Sequence, residues 1–344
     1  MEYRKLVKFG AATYCVSLPK AWVREHKLQK GDLITIDEQG DGTLKVFAKD
    51  DGAAPVPKEI TFDISGKAMS EVQRMVLVAY INDYSIINLR GDIAGRVKEL
   101  RDIFQQFLAL EVMDLTDERI TAKAFLDITE TNPLKVLRRV DTIVKTMFTD
   151  LQECCGKCKR SNCHLVAEKD LEINRLHYFA MKLINRGLND VETARHWGLS
   201  QSELAFIMVL ADKLEKIADR LKRLESVFSA GSLSEKEVHT LLGHSGGVEE
   251  NYRAAMSAFY KNDTAAAHQV IERHEAVSEK QLDSMTFRCI TNARARVGCG
   301  IPMVLEYLSR ISVLTEDIAR VVLDLHPEPA GAALVPKQGT ALRV

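Results

Sequence analysis

Three groups of residues carry chemistry that the rest of the chain must position. Glu215 and Asp219 stand four residues apart, so a helix stacks their carboxylates on one side, about 6 Å from each other. Such a pair repels by ~0.2–0.5 kcal/mol unless a cation lies between its members, and oxygen donors suit hard divalent cations and iron. The same stretch also allows a solvated ion-pair face, with Asp219 on Arg223, Asp212 on Lys216 and Glu215 on Lys222. The second group is Cys154, Cys155, Cys158, Cys163 and His164. Thiolate and imidazole suit tetrahedral zinc, and Cys155-x-x-Cys158 has the spacing of a metal knuckle. The lack of a second C-x-x-C leaves a thiol redox switch, or unpaired surface thiols, equally open. The third group is basic: Arg4, Lys5, Lys8, Lys20 and Arg24 crowd the first thirty residues.

That crowding is hidden in the net charge of −1. Residues 1–30 hold seven Lys/Arg against two acids, a net +5 that leaves −6 for the remainder. A small basic head on an acidic body suits a polyanion-binding module joined to a domain with another task. The 344 residues are enough for two or three domains. Only 19 Gly and 8 Pro among 46% apolar and 28% charged residues point to a mainly helical protein with real cores. No apolar run reaches the roughly 18 residues of a membrane span, and no secretory signal opens the chain. Seven irregularly spaced Cys do not read as a disulfide framework, so a cytoplasmic location is expected. Cys15, Cys289 and Cys299 sit in apolar surroundings and are expected in cores.

The positioning elements follow from periodicity. Residues 1–50 predict four short strands, a two-turn helix at AWVREHKL, a KGD turn and a QGDG hairpin. Such a unit buries little by itself and needs a partner copy. DGAAPVP, residues 51–57, is a linker by composition. Residues 58–130 alternate strand and helix, a small α/β domain with no catalytic or phosphate-loop motif, expected to be a spacer or dimerisation platform. From 132 to 326 the pattern is helical. It runs in two sets of three helices, 132–229 and 233–326, an internal repeat that predicts two three-helix bundles. Residues 327–344 predict a flexible tail. Ser200 and Glu203 form a capping box ahead of a seam of Leu204, Ile207, Ala211, Leu214, Ala218 and Leu221, and the acid pair sits at the edge of that seam. The fold class is therefore α+β multidomain and mainly α.

The run GAATYCVSLPKAWVREHKLQKGDLITIDEQGDGTLKVFAK resembles the SpoVT/AbrB family in its SLP strand end, basic helical turn, KGD turn and closing hairpin. The resemblance implies a swapped-hairpin homodimer that binds DNA, with Arg4, Lys5, Lys8, Lys20 and Arg24 toward phosphates and groove. LADKLEKIADRLKRLESVF resembles the PhoU family, whose Glu-x-x-x-Asp motif Glu215 and Asp219 match. The facing helix supplies VAEKDLEINRLHYFAMKLI, in which Asp170 takes a ligand position and Asn174 stands where an acid is expected. By this resemblance Asp170, Asn174, Glu215 and Asp219 imply a site for iron or another divalent metal, weakened by the missing charge. In the second repeat Ser309 and Val313 replace the two acids, with His274 and Ser278 facing them, so a second cluster is not expected.

Together the two resemblances imply an archaeal-type phosphate uptake regulator that binds DNA through its head and senses or transmits phosphate status through its helices. The alternative is an adaptor that docks on phosphate ABC transporter components or a sensor kinase, its head serving only dimerisation. No nucleophile–base pair appears, His177 and His196 read as surface or core histidines, and the chain is not expected to be an enzyme.

Overall fold

The computed structural model describes residues 3–10, 13–38, 42–48, 57–125, 131–156, 164–230, 233, 235–277 and 300–327. The chain divides into two compact units, Met1–Pro57 and Lys58–Val344.

The first unit holds two antiparallel hairpins, β1 (Val7–Phe9) with β2 (Thr13–Cys15) and β3 (Ile34–Glu38) with β4 (Leu44–Ala48), and the short helix α1 (Lys20–Glu25). Lys8 pairs opposite Tyr14 and Val7 opposite Cys15. Ile34, Ile36 and Glu38 pair opposite Ala48, Val46 and Leu44, so one face of the second hairpin is apolar but for Glu38 at its end. The KGD turn is closed by Gln29 N–H donating to Asp32 Oδ2 at 2.7 Å, with Gly31 at φ 100. None of the described residues of this unit is buried. Phe9 and Leu33 are 73% and 69% exposed. Cys15, expected in a core, is exposed for the same reason: two lone hairpins enclose no interior.

The second unit opens with the α/β domain. β5 (Glu59–Asp63) runs parallel to β6 (Ile86–Arg90) through the crossover helix α2 (Met69–Ile81). After α3 (Val97–Gln105), β7 (Leu110–Leu115) and β8 (Arg119–Ala124) complete a sheet of order β5-β6-β8-β7. Val72, Val76, Leu89, Leu100, Phe104 and Ile120 fill its core. Gly91 at φ 116 is required here, because a Cβ would lie 2.5 Å from Ser65 Oγ.

The helical part begins with α4 (Pro133–Gly156), where Pro133 takes the first helical position and Asn132 caps Leu134 N–H at 2.8 Å. α5 (His164–Asn189) and α7 (Gln201–Ser229) complete the first bundle. The predicted capping box is present at Ser200 and Glu203, and all six residues of the predicted seam are buried. A short helix escaped the sequence reading: α6 (Val191–His196) is capped by Asp190 and is too brief to show a period. α8 (Glu235–Lys261), α9 (Thr264–Val277) and α10 (Gly300–Leu325) form the second set. α7 packs on α10 and α4 on α8, and one continuous apolar core runs through both bundles. Ser278, the remainder of the helix expected to reach residue 291, Cys289, Cys299 and residues 328–344 lie outside the described residues. No helix among the described residues is long and apolar enough to cross a membrane.

Candidate functional site

The basic residues of the head come from three local structures. Arg4 and Lys5 precede β1, Lys8 lies within it, Lys20 opens α1 and Arg24 lies in its last turn. Lys20 and Arg24 are four apart on one short helix, so their charges stack on one side and repel unless an anion lies against them. Arg4 donates to Ser17 Oγ at 3.3 Å. Lys5, Lys8, Lys20 and Arg24 are exposed, and their side chains make no ion pair or hydrogen bond among the described residues. Free cations with their full donor sets unused are what a phosphate backbone engages.

The acidic cluster is built by α5 and α7, which pack against each other along the bundle. Asp170 on α5 is buried, and its Oδ2 accepts from Lys222 Nζ at 2.8 Å and from Asn174 Nδ2 at 3.4 Å. Asp219 Oδ2 accepts from Arg220 at 2.9 Å and Arg223 at 3.0 Å, and Lys216 pairs with Asp212 at 2.8 Å. The expected Glu215–Lys222 pair does not form. Lys222 reaches across to Asp170 instead, because the more deeply desolvated carboxylate gains most from a cation. Glu215 is left half-buried without a partner among the described residues. Burial first, then the charges of Asp219, Asp212 and Asp170, hold its carboxyl above the usual range.

The four residues expected to ligate metal therefore share one neighbourhood, but two of them already hold cations. No group of three or more His, Cys, Asp or Glu side chains is placed to hold a metal ion among the described residues. This is an ion-pair network, and the donor set does not fit a polynuclear metal cage. In the second repeat, Ser309 and Val313 lie on α10, and His274 turns to other partners: its Nδ1 lies 2.7 Å from Ser312 Oγ and its Nε2 3.3 Å from Glu316. Of the cysteine cluster, Cys154 and Cys155 fall in the last turn of α4 and His164 opens α5. Their side chains, with Cys158 and Cys163, lie outside the described residues. His177 sits half-buried with Nδ1 3.3 Å from the Ala211 carbonyl, and burial lowers its pKa, which favours neutral imidazole.

A joint between the α/β domain and α5 had no reading in the sequence. Helix α2 ends in a Schellman motif, with Tyr84 N–H on Ala79 O and Asp83 N–H on Tyr80 O, which sets Asp83 at φ 61. Its carboxylate takes Lys182 at 3.0 Å and Arg186 at 2.9 Å, and Asn185 donates to the Ile81 carbonyl at 3.0 Å. Lys182 is buried and lies over the Tyr80 ring at 4.7 Å. Burial lowers its pKa, opposed by Asp83. Cations of α5 thus meet the negative end of α2. The signal available beforehand was a Lys182/Arg186 pair at i, i+4 on an otherwise apolar stretch of α5.

These arrangements define a chain with a basic β head, none of whose described residues is buried, and a helical body carrying ion-pair clusters. The family model described as "Antidote-toxin recognition MazE, bacterial antitoxin" matches residues 8–60. The head is thus a MazE/AbrB-like, antitoxin-type domain. Among solved structures, PhoU from Pseudomonas aeruginosa matches with 19% identity and a TM-score of 0.43, over 56% of this chain and 94% of that one. No curated protein matches.

Proposed function

We propose that the chain is a DNA-binding transcriptional regulator linked to phosphate homeostasis, dimeric through its head, with the helical body as sensor or adaptor. The observation that carries this reading is the exposed set of Lys5, Lys8, Lys20 and Arg24, with unpaired side chains, on a head in which no residue is buried, both among the described residues. Its likeness to an antitoxin-type model supports the same reading. A second copy covers the apolar hairpin faces and doubles the cationic surface along a duplex. The link to phosphate rests on the resemblance of the α7 motif to the PhoU family.

Selection from randomised duplexes, followed by anisotropy titration of the full chain at two salt concentrations, tests it. A specific duplex held at physiological salt is expected. Lys20→Ala with Arg24→Ala lowers the salt slope by about 0.9 for each phosphate no longer neutralised, with the melting temperature nearly unchanged. Binding that falls equally for every duplex favours the adaptor, which docks on a transporter component or a sensor kinase and uses the head only to dimerise. An unchanged salt slope removes Lys20 and Arg24 from the DNA face.

A further inference from the structure

We propose that the cavity between α3, β7 and α5 binds a small organic anion, one that presents a phosphate or carboxylate to the guanidiniums of Arg101 and Arg175. The cavity has a volume of about 490 Å³ and is lined by both arginines, by Gln105 and Glu111, and by Phe104 and Phe107. That volume lies within the range of small-molecule sites and far exceeds one inorganic phosphate.

The two arginines differ from their neighbours. Arg96 is tied to the Ile64 and Lys67 carbonyls, Arg186 to Asp83, and Arg220 and Arg223 to Asp219. Arg101 and Arg175 make no ion pair or hydrogen bond among the described residues, although Glu111 lines the same space. Two planar forks left open beside one cavity suit bidentate capture of an oxyanion. Buried Phe104 and Phe107 supply an apolar wall for the body of the ligand. Gln105 and Glu111 supply acceptors for its hydroxyl or amino groups. A bare anion leaves the wall and these acceptors unused.

The location gives the site a consequence. Arg101 belongs to the α/β domain and Arg175 to the helical body, so one ligand engages both. Phe107 stacks on Tyr178 at 5.6 Å between centroids, and Tyr178 is also sensitive to the charges of Glu215 and Asp170. Two turns past Arg175 on α5 lies Lys182, the cation of the Asp83 joint. An occupant therefore sits between the joint and the acidic network. The site stands on the body's own geometry, whether or not the head binds DNA.

Calorimetric titration of the full chain with adenosine monophosphate, citrate and inorganic phosphate, each with a matching thermal melt, tests the site without DNA. Saturable binding of adenosine monophosphate or citrate is expected, with inorganic phosphate at least about tenfold weaker; the better of the two organic anions identifies the headgroup. Arg101→Ala and Arg175→Ala each weaken that binding by about 10- to 100-fold. Arg175→Lys falls between, because charge remains and the fork is gone. Both arginines are exposed, so melting of the unliganded variants stays close to the parent. Absence of saturation with all three probes, or parent-like binding in both alanine variants, overturns the proposal. Equal affinity for inorganic phosphate overturns the organic body of the ligand.

Discussion

The two bundles place a cross-helix polar pair at the same step of the repeat and give it opposite chemistry. In the first, buried Asp170 on α5 meets Lys222 on α7 at 2.8 Å. Aligning Ser309 and Val313 with Glu215 and Asp219 sets Glu316 at the place of Lys222, and aligning His274 and Ser278 with Asp170 and Asn174 on the facing helix sets His274 at the place of Asp170. The second bundle indeed joins His274 on α9 to Glu316 on α10 at 3.3 Å. A tautomer that donates from Nε2 to Glu316 accepts at Nδ1 from Ser312, which stands where the first bundle has Ala218. The acid has moved to the other helix. Both bundles satisfy a buried polar group between their second and third helices with a partner from the facing helix, using different residue types.

The largest effect should come from breaking the connection between the bundles. Asp141 on α4 is buried and accepts from Tyr252 at 2.8 Å and Tyr260 at 3.1 Å, both on α8, and from Lys145 at 2.7 Å. Tyr252 is fully buried, and desolvation followed by the Asp141 charge pushes its hydroxyl pKa well above the ordinary value. Asp141→Ala strands that hydroxyl and opens a cavity, for a loss of about 3–5 kcal/mol in a urea melt. Because one core runs through both bundles, the melt should keep a single transition. Two separate transitions would mean that the bundles fold as independent repeats and that their likeness is only local.

Sharper still is to remove the lysine from the first pair and the histidine from the second in turn. Lys222→Ala leaves Asp170 buried with only Asn174 at 3.4 Å. We expect a loss of about 2–3 kcal/mol, below the ~3–5 of a wholly buried pair because Lys222 is partly exposed. His274→Ala should lose about 1–2 kcal/mol, since Glu316 keeps Arg320 at 2.5 Å. Asp170→His combined with Lys222→Glu transplants the second arrangement into the first and should recover more than half of the Lys222→Ala loss. Equal losses in the two alanine variants, with no recovery in the transplant, would remove the equivalence of the pairs.

What was legible in the sequence follows from the range over which the information acts. The α7 seam, its capping box, and the Asp212–Lys216 and Asp219–Arg223 pairs were readable because all are set within four residues of one helix. The alternation of strand and helix in residues 58–125 was readable for the same reason. The destination of Lys222 was not: a lysine two turns from Glu215 also faces α5, and only packing shows that Asp170 is the buried claimant. Asp83 was equally silent, as its partners Lys182 and Arg186 lie far along the chain and its left-handed conformation belongs to a cap that glycine more often occupies. Gly187 hides a further close approach, because a Cβ there would meet Leu204 at 2.6 Å and Trp197 at 2.8 Å.

The smallest effect bears most directly on what separates the repeats, since Glu215 is an acid without a partner among the described residues and its counterpart Ser309 carries no charge. Burial and three neighbouring acids raise the Glu215 pKa, so its folded value lies above its unfolded one. For such a group the stabilising contribution is fully present below the unfolded carboxylate pKa and is lost as pH rises through the folded value. At neutral pH Glu215 is therefore a net cost to folding. Glu215→Gln should raise stability near pH 7 by about 0.5 kcal/mol, held small by solvent screening of a half-exposed side chain. The gain should shrink toward zero as pH falls into the ordinary carboxylate range, while Ser309→Gln shows no such trend. Urea melts of the two variants at several pH values read the difference directly. A Glu215→Gln gain that persists at acid pH would trace to packing, and a loss at neutral pH would mean that a cation holds Glu215 in solution and that the first bundle is closer to a metal site than its ion pairs indicate.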